Sequence, residues 1–191
     1  MPEPQTDILI KRAVKGDMGA YRALIDQNQK LVVSLVYKMV PQKEDREDLC
    51  QEIFIKVYEK LGTFRFQSRL STWIANIAFN HCANFLKKRK LHLLSDMYNE
   101  FDESAEDVPD FASHEKHPEQ RMMNKELYAY LNKCMESLSL IQRTVTQLFH
   151  YNEFSLEEIS AVTELPVNTV KSHLFRARAI LKTEMLKYLN H

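Results

Sequence analysis

The chain has 191 residues, 45% of them hydrophobic, with only 3 Gly and 6 Pro. So little turn chemistry disfavours a β-rich fold and points to an all-α protein with one core or two small ones. The longest apolar run, LVVSLVY at 31–37, is far short of the roughly 20 residues a membrane helix needs, and no charged-then-apolar leader opens the chain, so a cytoplasmic protein without membrane insertion is expected.

The formal net charge of zero conceals segregation. Residues 1–90 carry 16 Lys and Arg against 10 Asp and Glu, residues 91–120 carry 1 against 9, and residues 121–191 carry 9 against 7. Two net-positive blocks are thus joined by a strongly acidic connector. The expected division is 1–90 as an N-terminal helix bundle, 91–120 as a flexible linker, and 121–191 as a second helical domain.

From Tyr21, the apolar positions Leu24, Ile25, Leu31, Val32, Leu35 and Met39 recur at helical spacing until Pro41 stops them. A second helix is expected in EDREDLCQEIFIKVYEKLG, with Leu49, Ile53, Phe54, Val57 and Leu61 on one face, acidic residues in its first turn and Gly62 as its C-terminal cap. The loop GTFRFQSRLSTW follows, with Phe64, Arg65, Phe66 and Arg69. Rings between cations suit single-stranded nucleic acid, where bases stack on aromatics and guanidinium groups hold phosphates. One of the two Phe rings is equally suited to plug the core beneath the loop.

A third helix is expected over about 71–90, with Trp73, Ile74, Ile77 and His81 inward and LKKRK at its end. Asn76, Asn80 and Asn84 recur four apart along it and lead to Lys87. Asn is worse than Ala in a helix interior by roughly half a kcal/mol, so stability alone does not ask for this stripe. Amides leading into cations point to a nucleic-acid face, against the plainer reading of a solvated polar face.

The connector LHLLSDMYNEFDESAEDVPDFASHEKHPEQ has two prolines, like charges and no sustained helical period, and is expected to be extended or disordered. Beyond it, Ser155 with Glu158 forms a capping box opening a short helix with Ile159 and Val162 inward. Residues 163–167 are expected to turn, and Asn168 to cap a longer helix with the buried ladder Val170, Leu174, Ala177 and Leu181. Two helices joined by a tight turn make a helix-turn-helix. The ladder places Asn168, Ser172, Phe175 and Arg176 on the opposite face, beside Lys171 and Arg178. In a DNA groove Arg reaches guanine edges or phosphates, Ser a phosphate, and the Phe ring a thymine methyl.

Cys50, Cys82 and Cys134 are well separated, sit in apolar helical patterns and are expected to be reduced core thiols. The His residues form no metal-binding spacing and there is no Gly-rich phosphate loop, so no catalytic site, metal or cofactor is expected. Asp45, Glu47, Asp48 and Glu52 are read as dipole capping or a docking surface.

At this point the residues resemble a family, the extracytoplasmic-function (ECF) subfamily of bacterial sigma factors in the sigma-70 superfamily. DREDLCQEIFIKVYEKL is similar to the region 2 helix that docks on the β′ clamp helices of core RNA polymerase. FRFQSRLSTWIANIAFNHCANFLKKRK resembles the base-capture loop and the helix that recognises and melts the promoter −10 element. SLEEISAVTELPVNTVKSHLFRARAIL resembles region 4, which reads the −35 element in duplex DNA. The likeness covers roughly residues 5–90 and 120–187, in the family's order and spacing.

The resemblance implies a transcription initiation subunit rather than an enzyme. Its partners would be core RNA polymerase (β′ clamp helices and β subunit), promoter DNA, duplex at −35 and single-stranded at −10, and in many members an anti-sigma factor. It implies polymerase contacts for Asp48, Leu49, Gln51, Glu52 and Phe54; the −10 set is Phe64, Arg65, Asn76, Asn80, Asn84 and Lys87, and the −35 set Asn168, Lys171, Ser172, Phe175 and Arg176. Phe66 departs from the pattern, standing where the family commonly has Gly, and a Phe is strained at positive φ. The alternative is a stand-alone helix-turn-helix regulator of duplex DNA, which has no use for an amide stripe and an aromatic loop.

Overall fold

The computed structural model describes residues 4–96 and 130–189, which form helices, turns and loops without a strand. Helix α1 spans Pro4–Val14, α2 Met18–Met39, α3 Lys43–Lys60 and α4 Leu70–Asp96; a 3-10 turn at Leu61–Thr63 follows α3. Helical residues 130–136 form α5, followed by α6 at Leu140–His150, α7 at Leu156–Thr163 and α8 at Val167–Leu189.

Asp17 caps α2 by accepting from the Ala20 N–H at 3.0 Å, and Arg12 of α1 holds the same carboxylate at 2.7 Å. Leu24, Leu31, Val32, Leu35, Val36 and Met39 then form the buried stripe on which α1, α3 and α4 pack. At the end of α2, Pro41 cannot continue the helix and a buried Arg46 from α3 takes over its loose carbonyls. Its guanidinium donates to Val40 O and Pro41 O, both at 2.8 Å, and lies 4.9 Å above the Tyr37 ring. Two of the three guanidinium nitrogens of this buried charge are thereby satisfied by backbone, while Nη1 is buried without a hydrogen-bond partner.

Leu49, Ile53, Val57 and Leu61 are buried as their spacing predicts, and Glu44 and Asp45 occupy the first turn of α3. Gly62 is not the C-terminal cap. The helix tightens into the 3-10 turn, and Gly16 is the only positive-φ glycine among the described residues. Helix α1 lies outside the sequence expectation; Ile10 and Ala13 bury it against α2. Helix α4 also runs six residues into the expected connector, through the good helix former Leu at 91, 93 and 94. The expectation for the rest of that connector lies outside the described residues.

In the C-terminal half two capping boxes set the helix starts, Ser139 with Gln142 on α6 and Ser155 with Glu158 on α7. Helix α7 stops at Glu164, which is left-handed at φ 57, and α8 opens after Pro166. Asn168 therefore sits inside the first turn of α8 and not at its cap. Val170, Leu174 and Ala177 are buried as expected, while Leu181 is partly buried.

The two halves touch. Helix α7 lies along α4 and α6 lies against α2, so that buried Val145, Leu148, Ile159 and Val162 join the side chains of α2, α3 and α4 in one cluster. Arg143 of α6 ties this junction by donating to Met135 O, Glu136 O and Leu138 O, and across it to Lys38 O at 3.3 Å. Burial holds the Arg143 guanidinium below its usual pKa. Lys38, also lowered by burial and by the neighbouring Arg143 and Arg46, donates to Asn132 at 2.7 Å.

Candidate nucleic-acid interface

The aromatic loop sorts its two rings. Phe64 is only 7% exposed, wedged between Phe66 at 5.0 Å and Trp73 of α4 at 5.4 Å, so it is the plug under the loop. Phe66 lies above it, 36% exposed, with φ at 57. The loop therefore follows a left-handed path suited to glycine, and a Phe takes it at an expense of about 1–2 kcal/mol. Arg65 is exposed beside it, and Arg69 reaches the other way, 3.5 Å from Glu158 and 5.9 Å from the Phe154 ring centre.

The stripe on α4 is real and one residue longer than the sequence suggested. Thr72, a buried hydroxyl four residues before Asn76, begins a line that continues through Asn80 and Asn84 to the exposed Lys87. The four-residue interval was the available signal for it. Asn84 and Lys87 face outward, but the first three members are engaged by α7. Thr72 Oγ1 donates to Glu158 Oε1 at 2.9 Å, Asn76 Nδ2 to Ala161 O at 3.0 Å and Val162 O at 3.1 Å, and Asn80 Nδ2 to Glu164 Oε1 at 3.2 Å. Burial works against the Glu158 carboxylate. The Ser155 N–H, the Thr72 hydroxyl and Arg69 outweigh it and hold its pKa below the usual range.

On α3, Asp48, Gln51 and Glu52 are exposed and Phe54 is half-buried. Leu49 is a core residue, so it fixes the roll of the helix and does not itself reach the surface. Glu52 meets His81 of α4 at 2.7 Å, and Arg89 of α4 pairs with Asp45, so the acidic face of α3 is braced by α4. Beside this face an open cleft of about 500 Å³ is lined by Met18, Gly19, Tyr21, Arg22, Ile25 and Phe54.

On α8 the face opposite the buried ladder is open. Asn168, Lys171, Ser172 and Arg176 are exposed, and Phe175 is 74% exposed, the most exposed large hydrophobic among the described residues. Ser172 Oγ donates back to Asn168 O at 2.9 Å, leaving its oxygen free to accept. The helix-turn-helix thus presents a ring flanked by cations on a helix held rigid by Val170, Leu174 and Ala177.

No group of three or more His, Cys, Asp or Glu side chains is placed to share a metal ion among the described residues. Cys50, Cys82 and Cys134 are buried and unpaired; burial pushes the Cys50 thiol up to about 11 and the Cys82 thiol to about 12. No described helix is long and apolar enough to cross a membrane.

Comparison with known proteins matches sigma-70 region 2 over residues 24–92 and sigma-70 region 4 over residues 128–181. The chain is 33% identical to the ECF RNA polymerase sigma-E factor of Escherichia coli over 97% of each chain. It is 31% identical to the RNA polymerase sigma-H factor of Pseudomonas aeruginosa, over 93% of this chain and 92% of that one. Two solved structures share its fold. They are the sigma factor RpoE of Bartonella quintana in complex with the anti-sigma factor NepR (TM-score 0.70, 20% identity, 86% of this chain and 96% of that one) and CnrH in complex with the cytosolic domain of CnrY (TM-score 0.64, 19% identity, 95% and 97%). The amide stripe, the aromatic loop and the helix-turn-helix therefore sit in a chain that belongs to the ECF subfamily of the sigma-70 factors.

Proposed function

We propose that this chain is a promoter-specificity subunit: in the cytoplasm it binds core RNA polymerase, reads duplex DNA with α8 and single-stranded DNA with α4 and the loop before it, and so opens promoters for a specific regulon. The observation that carries this reading is that one chain has two chemically different polar faces, the amide stripe of α4 and the ring flanked by cations on α8. A stand-alone regulator needs only the α8 face. The amide stripe of α4 offers donors and acceptors that suit the Watson–Crick edges of bases, which are accessible only when the strands are apart. RNA synthesis itself belongs to the polymerase.

Residue roles follow from exposure on α3, the loop and α8, and from the line of the stripe on α4. Asp48, Gln51, Glu52 and Phe54 meet the polymerase β′ clamp helices, with Leu49 holding them in register from the core. Asn76, Asn80, Asn84, Arg65 and Lys87 line the path of the −10 strand. In the loop, Phe66 presents the ring to a base and Phe64 supports it from below, the reverse of the order of prominence in the sequence. Asn168, Lys171, Ser172, Phe175 and Arg176 meet the −35 element, and tethering this reader to the other raises the effective concentration of each for its own element. An anti-sigma protein would regulate the chain by covering these same faces.

The test is reconstituted transcription with bacterial core RNA polymerase on a promoter library, followed by sequencing of the transcripts. Transcripts that start downstream of a shared two-part motif and vanish without this protein are expected. Asn80→Ala should spare duplex −35 binding and abolish promoter opening. Tight duplex binding with no polymerase dependence would transfer the chain to the stand-alone regulators.

A further inference from the structure

The face of α3 assigned to the polymerase is set from behind by α4. Glu52 has a long side chain that is more than half exposed, and a glutamate left free on a helix surface samples many rotamers. Here its Oε2 lies 2.7 Å from His81 Nε2 of α4. An ionised carboxylate only accepts, so Nε2 carries the hydrogen and donates it. The His81 side chain is only 16% exposed where α4 packs on α3, so the ring is the fixed member of the pair and the carboxylate is the one held. Arg89 of α4 pairs with Asp45 of α3 in the same way. Asp45 and Glu52 stand about two turns apart, with Asp48 between them, so the acidic face is fastened to α4 at both ends. A contact so open to water adds little to stability, and His is a worse helix former than Ala, so neither explains this placement. Orientation of the carboxylate does.

From this we propose that His81 is a positioning residue for polymerase docking: it holds the Glu52 carboxylate in the orientation that a cationic surface on the β′ clamp helices receives, without touching the polymerase itself. The inference rests on the proposed role of α3. With one side of Oε2 engaged by the imidazole, the carboxylate keeps Oε1 and its outer edge for a guanidinium or ammonium group. Holding the side chain beforehand removes from docking the entropy that an unheld glutamate would lose on binding. His81 directly follows Asn80 on α4, so a single helix presets the docking face on one side and reads the melted strand on another.

The test measures the affinity of the full chain, fluorescently labelled, for bacterial core RNA polymerase, with the thermal midpoint of each variant as a check on folding. His81→Gln places an amide N–H close to where Nε2 stands, whereas His81→Leu occupies the same space and donates nothing. Glu52→Ala, alone and combined with His81→Leu, completes a double-mutant cycle that isolates the part of the effect passing through the carboxylate.

His81→Leu is expected to weaken core binding by roughly threefold to tenfold, the effect of leaving one side chain to be ordered on docking, and His81→Gln to bind as wild type. Glu52→Ala should weaken binding at least as much, and adding His81→Leu to it should change nothing further. Wild-type binding by His81→Leu, beside a loss in Glu52→Ala, overturns the positioning and leaves α3 as the docking face. A loss from His81→Leu that persists in the Glu52→Ala background also overturns it, since the effect would then bypass the carboxylate. So does a loss in His81→Gln as large as that in His81→Leu, because the donor would not be the cause. Wild-type binding by Glu52→Ala overturns both the docking role of Glu52 and the inference built on it.

Discussion

Replacing Phe66 by Gly and, separately, by Ala divides the cost of the loop from its use. Both substitutions delete the ring, and with it the contact to Phe64 at 5.0 Å, worth about 0.5–1.5 kcal/mol beyond its area. They differ in backbone. At φ 57 Ala keeps the left-handed strain of about 1–2 kcal/mol, whereas Gly sheds it and loses roughly 0.5–1 kcal/mol of chain entropy instead. Phe66→Gly should therefore be more stable than Phe66→Ala by about 0.5–1 kcal/mol, a gap in thermal midpoint of about 1–4 °C for a chain of this size.

Strand binding should not follow that order. If Phe66 stacks on a base, both variants lose about 1–3 kcal/mol, roughly 5- to 150-fold, in holoenzyme binding to a fork template with a single-stranded −10 segment from a selected promoter. Duplex −35 binding should be untouched. Wild-type binding by both variants would refute the ring's contact with a base. An Ala variant as stable as the Gly variant would refute the left-handed loop.

Arg176→Ala should weaken duplex −35 binding by about 1–3 kcal/mol if it bonds a guanine edge, whereas a phosphate contact would instead reduce the salt slope by about one; titration at several salt concentrations tells them apart. Ser155→Ala removes the capping box of α7 and should cost about 1 kcal/mol in chemical denaturation. Because the folded Glu158 pKa lies below its unfolded value, the stability it contributes is present above the ordinary carboxylate range and fades as pH falls through the lowered value; Glu158→Gln should flatten that acid limb of a stability-versus-pH curve. Thiol titration should detect no rapid reaction at Cys50 or Cys82 in the native chain at neutral pH and full reaction in denaturant, since burial keeps both protonated.

The helical faces were legible because burial imposes a period. Leu24 to Met39, Leu49 to Leu61 and Val170 to Ala177 all lie where spacing placed them. The capping box at Ser155 was equally plain, and the same signature at Ser139 and Gln142 would have marked α6. Local chemistry failed where two outcomes share one pattern. Phe64 and Phe66 are the same residue type two apart in a loop, and only the packing against Trp73 decides which is buried. Gly62 follows a helix as a cap would, yet the 3-10 turn satisfied the carbonyls first. The stripe from Thr72 to Asn84 announced a polar partner, but a row of amides does not state whether that partner is a nucleic acid or a helix 85 residues further along the same chain.

Trp73 is the only tryptophan in the sequence. It stands on α4 one residue from Thr72 and three from Asn76, with Phe64 of the loop against its ring. The molecule thereby carries its own optical reporter at the place where loop, stripe and covering helix meet. An event that lifts the loop or uncovers α4 changes the surroundings of that indole, whereas engagement of α8 alone leaves them as they are. Native emission, without any label, can therefore time the handling of the melted strand separately from the docking on duplex DNA.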